Sequence, residues 1–414
     1  VKKKIFVRAP VLSQSGYGEQ SRFALRALRS REDLFEIFVV PIKWGNTGWV
    51  WEDSEFRDWL DSRISLTQAL AHKKQLQVDI SLQITIPNEF QKIAPVNIGY
   101  TAGIETTKVA PDWLQKGNQM DKILVVSNHA KQTFETTTTQ VQNSQTGEVI
   151  PYKLNTPIET VWENTLRSPP EPIHEMKLTT DFNFLCVSQI SPRKNFENTI
   201  KWFVEEFIDQ EVGLVLKTNL AANCIIDWEH LEKRVSNLLS PYADRKCKVY
   251  LLHGDLTGGQ MTWLFNHDKI KNIINIAHGE GFGLPLFEAA REGLPVTTIG
   301  WSGQVDFLNH DGKNYFNEVD YTLQPIQKEA VWDGVLDKES MWAYADQGSF
   351  KMALRRAHKN HDEMKKVALE LKGLVETKFS DEVLFKGFVT AINGEEIDID
   401  AWLKELEEDL IEQD

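Results

Sequence analysis

Cysteine is scarce in this 414-residue chain: Cys186, Cys224 and Cys247 are the whole complement, an odd number with no Cys-x-x-Cys spacing. That argues against a disulfide framework and a thiolate zinc site, and it fits a reducing compartment. Long apolar runs are missing too. No stretch approaches the ~20 consecutive apolar residues of a membrane span. The opening Val1-Lys2-Lys3-Lys4-Ile5-Phe6-Val7 is basic, but its apolar part is too short for a signal peptide. A cytoplasmic location is the expectation. Positive charge is in deficit: 46 Lys and Arg against 60 Asp and Glu leave a net charge of −14. This is not the balance of a protein that grips nucleic acid by counterion release. Much of the deficit sits in residues 391–414, which hold ten acids and one base, Lys404. With Trp402, Leu403, Leu406 and Leu410 as apolar positions, that tail reads as a solvated helix face. No His or Cys cluster has ligand spacing, so neither a metal nor a bound cofactor is expected. Asp398-Ile399-Asp400 is formally a metal-type D-x-D, but it lies in the acidic tail, away from any glycine turn, and reads as chance.

What is present is enough apolar residue, 41%, to fill two cores. Strand signals in the first half fall at Lys4 to Ala9, Phe35 to Ile42, Val78 to Thr85, Val96 to Thr101, Lys122 to Ser127 and Ile158 to Trp162. Helical patterns at Gln20 to Arg29 and Asp112 to Gln119 lie between some of them. Such alternation predicts a parallel, doubly wound sheet. Glu135 to Pro157, rich in Thr, Gln and Asn, interrupts it as an insertion with hairpin character. Arg167-Ser168-Pro169-Pro170-Glu171-Pro172 reads as a linker, because three prolines in four residues cannot sit inside regular structure. A second alternating series has strands at Phe182 to Ser188, Val212 to Thr218, Lys248 to His253, Asn272 to Ala277 and Pro295 to Ile299. Ile200, Phe203, Val204, Phe207 and Ile208 mark a helix face after the first of these. After about residue 340 the pattern is helical. The expected organisation is a Rossmann-like domain over 1–168, a second over 177–379, and a terminal helix with acidic tail over 380–414, with a ligand in the crevice at the strands' carboxyl ends.

Residues 278–296, His-Gly-Glu-Gly-Phe-Gly-Leu-Pro-Leu-Phe-Glu-Ala-Ala-Arg-Glu-Gly-Leu-Pro-Val, carry the most chemistry. Glu280 and Glu288 flank a Gly281-Phe282-Gly283 turn. Pro285 suits the first turn of a helix, and Gly293 and Pro295 end it. A strand, a glycine turn and a helix N-terminus present free N–H groups to an anion or an oxygen-rich ligand, and carboxylates accept from vicinal hydroxyls. This string resembles the E-x7-E signature of retaining GT-B glycosyltransferases, specifically glycosyltransferase family 4. The flanking Leu-Pro, Glu-Ala and Gly-x-Pro-Val, and then Gly303, Asp306 and Phe307, fall in the same register. The resemblance implies a GT-B fold with a C-terminal helix, Asp381 to Leu410, crossing back to the first domain. It implies that Glu280 meets the donor sugar and that Gly281, Phe282, Gly283 and Leu284 meet sugar and phosphate. Glu288 would hold the ribose.

Further residues take roles from that resemblance, each beside a plainer alternative. Arg193 and Lys194, in the segment Ser188 to Asn195 that follows the first strand of the second domain, would neutralise a leaving diphosphate; otherwise they are surface cations. Lys217 is a weaker third cation. Ser15-Gly16-Tyr17-Gly18 would bring Gly16 and Gly18 near the donor phosphates; otherwise it is a tight turn. It is no dinucleotide fingerprint, since position 21 is Ser and no acid ends the second strand. Glu105, in Thr101-Ala102-Gly103-Ile104-Glu105-Thr106, is the nearest acid where many family members carry His or Asp; a helix N-terminal acid is the equal alternative. Tyr17, Trp44 and Trp49, with Trp51, could stack on an acceptor ring, or simply pack. The implied activity is transfer from a nucleotide-diphosphate sugar to a hydroxyl. A glycan is the leading acceptor and a hydroxymethylated DNA base the less favoured one, given the negative charge. An epimerase or phosphorylase on the same fold, or a non-catalytic sugar-nucleotide or glycan binder, are the alternatives.

Overall fold

The computed structural model describes residues 2–142 and 148–394. Two six-stranded sheets, parallel throughout, form its two halves. The first runs in the order β2-β1-β3-β4-β5-β8. Its strands are β1 (Lys3–Ala9), β2 (Phe35–Pro41), β3 (Ile80–Ile84), β4 (Val96–Thr101), β5 (Lys122–Val125) and β8 (Ile158–Thr160). Between β5 and β8 stands the antiparallel hairpin of β6 (Thr138–Gln142) and β7 (Val149–Lys153), as the polar insertion suggested. The second sheet runs β11-β10-β9-β12-β13-β16. Its strands are β9 (Phe182–Val187), β10 (Val212–Thr218), β11 (Lys248–His253), β12 (Ile270–Asn275), β13 (Val296–Ile299) and β16 (Asn317–Val319). All five residues of β3 are buried, as a central parallel strand covered on both faces requires. Residues 161–181, the proline-rich stretch included, contain neither strand nor helix.

Helices α1 (Gly16–Arg29), α2 (Glu55–His72), α3 (Pro111–Gly117) and α4 (Asn128–Thr136) belong to the first half. The second half carries α5 (Phe196–Glu206), α6 (Ile225–Leu239), α7 (Gly258–Asn266), α8 (Leu284–Arg291) and the short α9 (Val305–Leu308). The chain then runs through α10 (Gln347–Lys359) and α11 (His361–Lys378) to α12 (Asp381–Asn393). The last of these crosses back. Phe388 on α12 packs edge-on to Phe23 of α1, with ring centroids 5.7 Å apart, and lies 5.5 Å from Tyr100 of β4. Lys122 of β5 donates to the Ala391 carbonyl at 2.9 Å. The acidic tail and its D-x-D lie outside the described residues.

Several expectations change in detail. Helix α1 begins at Gly16, because the Ser15 hydroxyl caps it by accepting from Gly18 N at 3.1 Å. The Gly-Tyr-Gly segment is therefore the first helical turn and not a loop. Helix α5 stops at Glu206, so Ile208 falls beyond the face it was assigned to, and it is exposed. Helix α2 was not foreseen; it buries little beyond Leu60 and Thr67, so its sequence shows only a weak apolar stripe. The region after residue 340 opens with a strand, β18 (Met341–Ala345), paired antiparallel to β17 (Tyr321–Pro325). A two-stranded piece, β14 (Asn309–His310) with β15 (Lys313–Asn314), precedes it.

Candidate active site

The carboxyl ends of the two sheets face each other, and the loops that leave them touch. Glu280 leaves β12 at the centre. Lys194 donates to both of its oxygens at 2.6 and 2.7 Å, Arg193 donates to Oε2 at 3.1 Å, and Asn275 donates to Oε1 at 2.9 Å. Burial alone would raise the Glu280 pKa. The two cations and Asn275 overcome it and hold the carboxyl down at about 2. The same burial draws the Lys194 ammonium below its usual range in spite of Glu280, so the carboxylate is the well-satisfied member of the pair. Arg193 also donates to the Gly279 carbonyl at 2.6 Å and reaches across to Glu105 of the first domain at 3.2 Å. Its guanidinium loses solvent, yet Glu105 and Glu280 raise its pKa further. Glu105, Arg193, Lys194 and Glu280, distant in sequence, thus form one ion network.

The turn after Glu280 is shaped for close approach. Gly283 has φ +93°, the left-handed region that glycine alone enters freely, and it starts α8 with Pro285 in the first turn. A Cβ on Gly281 would lie 2.9 Å from the Ala102 carbonyl oxygen, so glycine there lets the domains meet. Among the described residues, the backbone N–H groups of residues 281–284 donate to no protein acceptor. These are the orphan donors of a helix N-terminus, with the dipole behind them. The Phe282 ring turns away and packs on Phe287 and Phe307, so that residue offers only its backbone. Glu288, half-buried within α8, forms no ion pair among the described residues. Burial raises its carboxyl to about 7; Arg291 opposes this, and Glu19 adds to it.

The first-domain residues sit at graded distances from this centre. The Tyr17 hydroxyl shares a hydrogen with Thr101 Oγ1 at 2.8 Å and accepts from Ala102 N at 3.3 Å, beside Gly281. Its ring lies 4.3 Å from that of Trp44. Trp49 and Trp51 are further out, 66% and 92% exposed. Their loop is anchored, with Gln14 N donating to Gly48 O and Val50 N to Leu12 O, each at 2.8 Å. Gly16 is exposed with open space before it, whereas Gly18 is filled against the Ser13 carbonyl, where a Cβ would clash at 1.9 Å. Gly18 thus has a packing reason of its own. Lys217 is half-buried one residue before the end of β10, on the second domain. Burial lowers its pKa, and Asp255 partly offsets that.

Four residues that the sequence reading did not assign belong to this centre. Asn275 was a polar residue inside an apolar strand, a usable signal. Ser302, held at φ +77°, accepts from Glu280 N at 2.9 Å and donates to Gln304 at 2.8 Å. A non-glycine residue in that region costs on the order of 1–3 kcal/mol and is retained where the fold enforces it. His129, from α4, comes against the Glu105 loop that has no histidine of its own. It packs edge-on to Trp301 of the second domain at 4.7 Å, and burial lowers its pKa to about 4. Asp306 accepts from Asn128 N and Trp162 Nε1, both at 2.8 Å, and so ties α4 and the interdomain segment to α9. Among the described residues no group of three or more His, Cys, Asp and Glu is placed to hold a metal ion, and no helix is long and apolar enough to cross a membrane.

No protein-family model matches the chain, and no curated protein matches it by sequence. Solved structures do match by shape. Sucrose-phosphate synthase from Thermosynechococcus elongatus superposes with a TM-score of 0.60 over all of both chains at 13% identity. HepE of Anabaena, in complex with UDP and glucose, gives 0.58 at 12% identity, covering 95% of this chain and 100% of its own. A glycosyltransferase from Rickettsia africae gives 0.58 at 11% identity, covering 95% and 100%. The fold is therefore that of GT-B proteins: two Rossmann-like domains facing a cleft.

Proposed function

We propose that the protein is a retaining glycosyltransferase of the family 4 type, moving a sugar from a nucleotide-diphosphate donor to an acceptor hydroxyl. The observation that carries this reading is the meeting of Glu280, Arg193, Lys194 and Glu105 beside the unpaired N–H groups of residues 281–284. Such a site offers positive charge and oriented dipoles to a diphosphate, with a carboxylate fixed next to it for sugar hydroxyls. The HepE structure, which contains UDP and glucose in the same fold, supports a donor of that class.

In this reading the diphosphate lies at the N-terminus of α8 and competes with Glu280 and Glu105 for Arg193 and Lys194. Charge develops on the leaving phosphate oxygen and is met by those cations and by the amides of Gly281, Phe282, Gly283 and Leu284. The sugar gains oxocarbenium character. The acceptor oxygen attacks from the face the phosphate leaves, and a phosphate oxygen takes its proton. Glu280, ionised and held by three donors, positions the sugar and does not transfer a proton. Glu288 accepts from the ribose hydroxyls. Gly16 and Lys217 border the donor, and domain closure keeps water from it. Tyr17, Trp44 and Trp49 line the acceptor side. The loop beyond them carries Glu52 and Asp53, and Gly48 approaches Asp255, an acidic rim that favours a neutral glycan over DNA. No metal or bound cofactor has a part in this scheme.

The test is thermal stabilisation by UDP, GDP, ADP and their glucose conjugates, with Glu288→Ala alongside. At 100 times its dissociation constant a ligand adds about 2.7 kcal/mol. One nucleotide should stabilise the wild type and fail to stabilise the variant; no shift with any of them sinks the donor site.

A further inference from the structure

We propose that His278 is a positioning residue for the Arg193–Glu280 pair, and that β18 with the segment leading into it from β17 is a strap through which closure of the two domains reaches that pair. This rests on the donor-site reading above and adds a residue and a device to it.

The strap leaves the second domain and docks on the first. Val335 is buried in the first-domain cluster with Ile104, Val109 and Trp113. Met341 exchanges hydrogen bonds with Thr107: Thr107 N donates to Met341 O at 2.9 Å, and Met341 N donates to Thr107 Oγ1 at 3.0 Å. Thr107 stands two residues from Glu105. The other side of the strap holds His278. Ala343 N donates to the His278 carbonyl at 3.0 Å, and the imidazole Nδ1 lies 2.7 Å from the Ala343 carbonyl. A carbonyl only accepts, so Nδ1 carries the hydrogen, and Nε2 is left to accept from Gln327 Nε2 at 3.2 Å. The ring stacks on Trp342, 4.8 Å away with 14° between the planes, and Tyr344 flanks it at 4.5 Å.

His278 N then donates to the Arg193 carbonyl at 2.8 Å, and Glu280 follows two residues later. The bonds close a ring: Glu105 to Arg193, Arg193 to His278, His278 to Ala343 on β18, and Met341 on the same strand back to Thr107 beside Glu105. The ring is complete only when both domains contribute. Backbone atoms of residue 278 close the ring, and the imidazole locks it with a second bond to Ala343 and one to Gln327, which needs a side chain that donates on one atom and accepts on another. A glutamine can do both, and a leucine of similar bulk can do neither. Gln327, half-buried at the rim of the strap, holds only the second imidazole nitrogen, so its removal loosens the His278 link more mildly.

The experiment compares His278→Leu, His278→Gln and Gln327→Ala in the full chain, measuring hydrolysis or transfer of UDP-, GDP- and ADP-glucose together with nucleotide stabilisation. His278→Leu should lower kcat at least about tenfold, the effect of about 1.4 kcal/mol, with KM within about twofold. His278→Gln should recover most of that loss, and Gln327→Ala should fall between. Equal kcat in wild type and His278→Leu overturns the proposal, as does a loss confined to KM, or a His278→Gln no better than His278→Leu. Should His278→Leu not fold, a Gln327→Ala with unchanged kcat overturns it alone. Turnover of none of the three sugars by the wild type removes the donor reading and this proposal with it, which separates the two failures.

Discussion

Glu280 and Glu288 lie eight residues apart on either side of one turn, and their surroundings drive them in opposite directions. Glu280 is nearly sealed from solvent but collects three donors, so its carboxyl is held near 2. Glu288 keeps more contact with solvent, forms no ion pair among the described residues, and rises to about 7. The difference shows that burial alone does not decide ionisation; the donors that accompany it do. One carboxylate is a fixed charge around which cations are organised. The other is poised to ionise when hydroxyl donors arrive.

The comparison breaks most severely at Glu280→Gln, which strands Lys194 and Arg193 beside a neutral amide. Removing one member of a buried ion network costs about 3–5 kcal/mol, to be read by denaturant unfolding at pH 7, and turnover should fall about 10²–10³-fold. The wild type should approach the variant in acid. A folded pKa near 2, below the ordinary 4.5, gives stability that is present above about pH 4.5 and lost as pH falls toward 2. Parallel unfolding curves for the two proteins over that range would remove the ion network from the account.

Glu288→Gln sharpens the other side. A folded pKa raised from 4.5 to about 7 gives stability that is full below pH 4.5 and declines as pH rises through 7. The variant should lack that decline, which solvent screening reduces to roughly 1–3 kcal/mol. Ribose hydroxyls would stabilise the charged form, so nucleotide binding near pH 7 should release a proton from the wild type and none from the variant. Calorimetry in two buffers of different ionisation enthalpy reads this directly, and equal apparent enthalpies for the wild type would contradict it.

Smaller changes act on the contact that brings the carboxylates to the first domain. Gly281→Ala inserts a methyl group 2.9 Å from the Ala102 carbonyl and should cost about 1–3 kcal/mol. Turnover should drop more than nucleotide binding, since the turn is pushed off the first domain while α8 stays whole. Asp306→Asn comes last, below about 1 kcal/mol, because an amide oxygen still accepts from Trp162 or Asn128. A blue-shifted tryptophan emission in this variant would argue against the Trp162 bond.

Much of this was legible from residue pattern. Strands of β-branched and apolar residues at domain spacing marked all six strands of the first sheet and five of the second, the three-residue β16 being too short to stand out, and Gly283, Pro285 and Gly293 bracketed α8 because each has a backbone reason to be where it is. The ion network was legible only as separate candidates: Arg193, Lys194, Glu105 and Glu280 carry no local sign that they touch. His278, Ser302 and His129 carry no local sign of their roles, because those roles depend on partners far along the chain, at Ala343, Glu280 and Trp301. The helical pattern expected after about residue 340 fails at β18 because that strand pairs only with β17, and five residues are too few to show a periodicity of their own.

The return of α12 to the first domain has a consequence for synthesis. Leu384, Phe388 and Ile392 complete a core that also contains Phe23 and Tyr100. A nascent chain that has finished β8 therefore still lacks one wall of its first domain. That wall arrives only after the whole second domain has been translated, on the order of ten seconds or more at 5–20 residues per second. Through that interval the apolar face of α1 waits uncovered, so the domain made first is the one completed last.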